Sequence, residues 1–126
     1  MIIAEPQLFT ADLEAAVAFY VDKLGFELAF SYGDPPFYAQ VVRDGARLNL
    51  RAVDGPVFDE GFRKREGGAL CATLALDDAE PLFTEFQKAG VAFYQPLKRE
   101  EWGASTFIVQ DPDGNFIAFA GGPAQS

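Results

Sequence analysis

The feature that most constrains this chain is a set of landmarks that recurs at nearly one offset. Asp12 and Asp78, each suited to cap a helix N-terminus, lie 66 positions apart. Gly25 and Gly90, each placed to end the helix that follows its Asp, lie 65 apart. Gly45 and Gly114, each in a hairpin turn, lie 69 apart. Three landmarks in one order at one spacing describe a module written twice. Each copy reads as strand, helix, strand, strand, strand.

In the first copy, residues 2–10 are the expected opening strand, and Pro6 within it suggests an edge position or a bulge. Leu13, Ala16, Val17, Tyr20 and Leu24 then recur at helical spacing. Residues 26–31, 37–42 and 47–53 read as strands, separated by the Gly33-Asp34-Pro35-Pro36 loop and an Asp44-Gly45 turn. Residues 54–68 are polar and read as a linker with one short helix around 58–65. The order then restarts: a strand over 69–76, a helix capped at Asp77-Asp78 with Pro81 in its first turn, a short strand over 91–94, and a closing hairpin of residues 105–110 and 115–120. The expectation is one α+β domain over residues 1–126, with module 1 at about 2–53, the linker at about 54–68 and module 2 at about 69–121. In each module alternate strand residues should point into a curved, half-open mixed sheet.

Composition narrows the chemistry. An apolar fraction of 49% with thirteen Phe, four Tyr and one Trp suits a packed core. The net charge of −9 disfavours nucleic acid as a partner. The Arg63-Lys64-Arg65 run, flanked by Glu60 and Glu66, reads as a solvated charged turn or helix. There is no histidine, which removes Ser-His-Asp and Cys-His catalysis and the commonest transition-metal ligand. One cysteine, Cys71, excludes an intrachain disulfide. No apolar run approaches the roughly 20 residues needed to span a bilayer, and Met1-Ile2-Ile3-Ala4 leads directly to Glu5 and Pro6 without a signal pattern. The expected location is the cytoplasm, with no membrane partner.

The segments Asp12–Tyr20, Leu24-Gly25-Phe26, Val42–Leu48 and Asp111-Pro112-Asp113-Gly114-Asn115-Phe116-Ile117 together resemble the glyoxalase, bleomycin-resistance and extradiol dioxygenase superfamily, the vicinal oxygen chelate fold. Enzymes of that superfamily hold a divalent metal with ligands from the first and fourth strands of each module. The resemblance puts those positions at Glu5, Asn49, Cys71 and Ala118. Glu5 suits a hard ion, Asn49 offers one amide oxygen, Cys71 suits only a soft ion, and Ala118 offers nothing. The expectation is no metal and no cofactor. Cys71 reads as a small buried hydrophobe. Glu5 is left between an exposed edge charge and a place in the cavity.

The metal-free branch, the bleomycin-resistance binding proteins, resembles this chain in two further segments, Glu101-Trp102-Gly103 and Tyr38–Asp44. The resemblance implies a homodimer that binds a drug, unchanged, in clefts between its subunits. Aromatic faces can stack on planar heteroaromatic rings and attract a cation. The candidate ligand-binding residues are Tyr32, Phe37, Tyr38, Asn49, Arg51, Glu101, Trp102 and Gly103. Phe30 is a candidate for the same role but reads as core, since it lies in a strand whose alternate residues face inward. Acidic candidates are Asp34, Asp54, Asp59, Glu60, Glu100 and Glu101. Asn49 should share a face with Arg47 and Arg51, giving a mixed pocket that suits an anion or zwitterion. The alternatives are a glyoxalase-like lyase or isomerase, a dioxygenase of the same fold, and a metabolite-binding module.

Overall fold

The computed structural model describes residues 1–122. Two four-stranded mixed sheets form, ordered β1-β4-β3-β2 and β5-β8-β7-β6. The first contains β1 (Gln7–Thr10), β2 (Glu27–Gly33), β3 (Pro36–Arg43) and β4 (Ala46–Ala52); the second contains β5 (Ala72–Leu76), β6 (Phe93–Arg99), β7 (Ser105–Gln110) and β8 (Phe116–Gly121). The duplication extends to register. Gln7 pairs with Asn49 in the parallel β1–β4 ladder, and Thr73, 66 positions after Gln7, pairs with Ala118 in the parallel β5–β8 ladder.

Short-range chemistry sets the helices. Asp12 accepts from the Ala15 N–H at 3.1 Å to start α1 (Leu13–Ala18), which widens into a π turn over Phe19–Lys23. Asp78 does the same for α3 (Ala79–Lys88) through the Glu80 N–H, and Asp59 for α2 (Glu60–Arg65) through the Phe62 N–H. Gly25 and Gly90 take φ +71° and +78° just past the helices that they end.

Three strands differ from expectation. The opening strand is confined to Gln7–Thr10, because its only sheet neighbour, β4, runs alongside from Asn49 onward; Met1 and Ile2 are fully exposed. The strand expected over 69–76 begins at Ala72 because the chain is still turning out of α2 at Ala69, whose N–H donates to the Glu66 carbonyl, and first meets β8 where the Cys71 N–H donates to the Phe116 carbonyl. The strand expected over 91–94 is longer, Phe93–Arg99, because β6 pairs along β7 to the Arg99–Ser105 step despite two irregularities.

One core joins the modules. Leu8, Tyr20, Leu24, Val41, Leu48 and Leu50 of module 1 cluster with Phe86, Phe107, Val109, Ile117 and Phe119 of module 2. The Asp111–Asn115 turn fastens this seam. The Asp111 carboxylate accepts from the Tyr20 hydroxyl at 2.8 Å, from the Asn115 side-chain amide at 2.8 Å, and from the Asp113 and Asn115 backbone N–H groups at 2.9 Å. Asn115 also donates to the Phe9 carbonyl, and Asp113 accepts from the Ala11 N–H. Burial pushes the Asp111 carboxyl above its usual range against these hydrogen bonds, and burial beside Asp111 pushes the Tyr20 phenol well up. Arg43 forms a bidentate pair with Glu85 across the same seam; their hydrogen bond holds Glu85 below the usual carboxylate range and raises Arg43.

Candidate functional site

Strand alternation gives each sheet one face toward the shared core and one face away from it. In module 1, Ala39, Val41, Leu48 and Leu50 are buried on the core side. Gln40 and Tyr38 on β3, and Arg47, Asn49 and Arg51 on β4, therefore occupy the opposite face. Phe30 pairs with Gln40 and Tyr32 with Tyr38, so both rings join that face; Phe9 joins from the other side through its pairing with Arg51. Phe30 and Tyr38 stack at 6.4 Å, and Tyr32 meets Phe37 edge-on at 5.7 Å. Tyr32 is 67% exposed, and Phe9, Phe30 and Phe37 are 39–46% exposed. This corrects the core reading of Phe30. β2 is an edge strand and no residue of it is buried, so the Phe30 ring leans on Tyr38 and stays half exposed instead of entering the core.

The centre of the face is polar. The Gln40 side-chain amide donates to Glu5 at 3.0 Å and to Asn49 at 2.9 Å. This places Glu5 with the face rather than free at an edge. Phe9 and Gln40 are the members that sequence reading missed. Gln40 was legible as the lone polar residue in an apolar strand, two positions from Tyr38, and Phe9 as the alternate of a core Leu8.

The positions that correspond to the superfamily's metal ligands do not fit a divalent ion. The Gln40 N–H₂ lies between Glu5 and Asn49, a donor where a cation would have to stand. Cys71 packs against the core, donates to the Asn115 side-chain oxygen at 3.3 Å, and has its thiol pushed up by burial, which disfavours thiolate. Ala118 is buried without a donor atom. Among the described residues, no group of three Asp, Glu, Cys or His side chains converges as a metal cage.

The remaining expected residues lie in the other module. Glu101, Trp102 and Gly103 form the turn between β6 and β7, with Gly103 at φ +104° and Trp102 65% exposed. The acidic candidates are dispersed: Asp59 caps α2, Glu100 accepts from the Thr106 hydroxyl at 2.6 Å, and neither is on the module 1 face. Arg63 departs from the solvated reading. Its guanidinium lies 4.1 Å from the Phe58 ring centre and 4.2 Å from that of Phe116, and it donates to the Gly114 carbonyl at 2.8 Å. The reason is that α2 folds back over module 2, a tertiary placement that the charge run does not encode.

Two clefts lie apart from the expected residues. One of about 550 Å³ runs between the β3–β4 hairpin, β5 and α3; another of about 800 Å³ runs between α1 and the β2–β3 hairpin. The aromatic candidates therefore present an open face. Among the described residues, no helix is long and apolar enough to cross a membrane.

Comparison with known proteins adds to this geometry. The family described as the Glyoxalase/Bleomycin resistance protein/Dioxygenase superfamily matches residues 2–119. A bleomycin resistance protein of Geobacillus stearothermophilus is 26% identical, over 94% of this chain and 96% of its own length. The crystal structure of the bleomycin-binding protein of Streptomyces verticillus, complexed with copper(II)-bleomycin, superposes with a TM-score of 0.74 at 26% identity, covering 98% of both chains. A lactoylglutathione lyase of Agrobacterium tumefaciens shares the fold, with a TM-score of 0.70 at 20% identity over 98% of this chain and 94% of its own. The fold therefore accommodates both a binder and an enzyme, and the site must choose between them.

Proposed function

The chain belongs to the glyoxalase/bleomycin resistance protein/dioxygenase superfamily, and from that premise we propose that it is a metal-independent binding protein that sequesters a bleomycin-type or similar aromatic antibiotic. The observation that carries this reading is the open face of module 1. It presents part-exposed rings at Phe9, Phe30 and Tyr32 beside Tyr38, Asn49 and Arg51, with Phe37 edge-on to Tyr32 at the hairpin end. Rings so placed offer stacking surface to a planar heteroaromatic ligand and lose little entropy on binding.

In this proposal the functional unit is a cytoplasmic homodimer. Within one chain the Trp102 turn belongs to the sheet that does not carry the aromatic face, and a second copy supplies its Glu101-Trp102-Gly103 turn to complete the cleft. In this proposal the ligand leaves unchanged; the chain has no histidine, and among the described residues no acidic and thiol groups converge as a metal cage. The lyase, isomerase and dioxygenase alternatives need a metal at positions whose donors do not fit one.

The test is titration of the purified protein with metal-free and with copper-bound bleomycin, following Trp102 emission, alongside its mass in solution and its metal content. The expected result is a saturable emission change in a dimer without stoichiometric metal. Trp102→Ala should then weaken binding by about 1–3 kcal/mol, the scale of a lost stacking platform. Stoichiometric metal that Glu5→Gln abolishes would overturn the reading in favour of an enzyme. A protein that ignores both forms of the drug would leave the metabolite-binding alternative.

A further inference from the structure

Resting on the reading of the module 1 face as the ligand site, we infer that the ligand carries an anionic group beside its aromatic system and that Arg51 receives it. Arg51 stands in the row Arg47, Asn49, Arg51 on β4, with Phe9 of β1 and Tyr38 of β3 as its register partners on either side. It is exposed, and among the described residues it takes part in neither of the two ion pairs, which join Arg43 to Glu85 and Lys98 to Glu100. It stacks on no ring either; the cation–ring contacts belong to Arg63. A guanidinium left free between two aromatic residues offers a planar donor fork at the edge of a stacking surface, the arrangement that suits a carboxylate, sulfonate or phosphate on a flat ring.

Glu5 and Glu27 stand at the far end of this face from Arg51, and Asp34, in the β2–β3 turn at Arg51's end, makes no ion pair with it. Glu5 is bound by Gln40 and precedes β1, at the end of the face where Arg47 lies, and Glu27 pairs with Val42 in the first step of β2. The net charge of −9 opposes an anion at long range. Screening confines that opposition to roughly 8 Å at physiological salt, so the groups nearest the ligand decide. The face thus differs from a simple cation trap: of the acidic candidates only Asp34, in the β2–β3 turn, borders it, and the others sit on the linker and in module 2.

The experiment uses three flat probes of one shape: 2-naphthoate, 2-naphthamide and 2-naphthylmethylammonium. Each is titrated into the full-length protein by calorimetry and by amide chemical-shift mapping. The expected order places the anion about tenfold tighter than the amide, the weight of one charge-assisted hydrogen bond at a half-exposed site, with the cation weakest. Shifts should centre on Phe9, Tyr38 and Arg51. Arg51→Gln should abolish the preference for naphthoate over naphthamide by weakening the anion far more than the amide, while Arg51→Lys keeps part of it. Equal binding of anion and amide on this face would overturn the inference and leave the aromatic-face reading standing. Shifts elsewhere, or none with any probe, would also overturn it. Bleomycin binding is scored separately, so loss of the drug reading and loss of the anion preference are read from different titrations.

Discussion

The two modules are one design with opposite treatment of the face that points away from the core. Gln40 pairs with Asn49 in module 1, and Ile108 pairs with Ala118 in module 2. With Glu5 and Cys71 as the matching first-strand positions, a hydrogen-bonded polar triad in one copy corresponds to a thiol and two hydrocarbon side chains in the other. Module 1 leaves its face open and rimmed with aromatic rings. Module 2 is covered by its own chain: Phe58, Arg63, Phe116 and Tyr94 contact one another in succession, with Phe116 and Tyr94 stacked at 4.3 Å. The difference teaches that duplication fixed the scaffold while side chains assigned the uses. One face stays open, the site that the proposed function assigns to a ligand, and the other carries a guanidinium between rings, the contact that an aromatic site would make with a foreign cation.

The largest expected effect is at the seam that holds the two faces in one molecule. Asp111→Ala removes the acceptor for four donors at a buried site, and urea unfolding should show a loss of about 3–5 kcal/mol. A loss below about 1 kcal/mol would mean that the modules are joined by apolar packing alone. Next, Arg63→Ala should uncover module 2. A stability loss of about 1–2 kcal/mol is expected from the lost stacking and carbonyl contacts, with faster hydrogen exchange at Phe116 and Ile117. Unchanged exchange there would break the contrast between a covered and an open face. The smallest effect is at the centre of module 1. Gln40→Ile gives it the character of Ile108, and stability should change by no more than about 1 kcal/mol, because exposed Glu5 regains water. A double-mutant cycle with Glu5→Ala should return a coupling of about 0.5 kcal/mol, and zero coupling would show that the bond orders the face without stabilising it.

Much of this was legible in the chain. The Asp caps, the stop glycines and the Asp44-Gly45 turn act within a few residues, so their chemistry needs no knowledge of the rest of the fold. Strand alternation correctly put Arg47, Asn49 and Arg51 on one face, since Leu48 and Leu50 between them had to be buried. The same alternation misread Phe30. Period two says which residues share a face, but not whether an edge strand has anything packed over it. Trp102 is exposed, because a turn of charged residues and glycine leaves a ring little to pack against.

What the sequence determined by itself is the duplicated module and its order of elements, which follow from local periodicity and turn chemistry, and the resemblance of its segments to one superfamily. What only the tertiary structure decided are the pairings between distant residues: Gln40 with Glu5 across 35 positions, Arg63 with Gly114 across 51, and Tyr20 with Asp111 across 91. The Asp-Pro-Asp-Gly-Asn segment shows both. Its residues announce a turn in isolation, yet its first carboxylate becomes the bolt between modules only when folding brings the Tyr20 hydroxyl to it, because a hydrogen bond depends on distance in space and leaves no period in the chain.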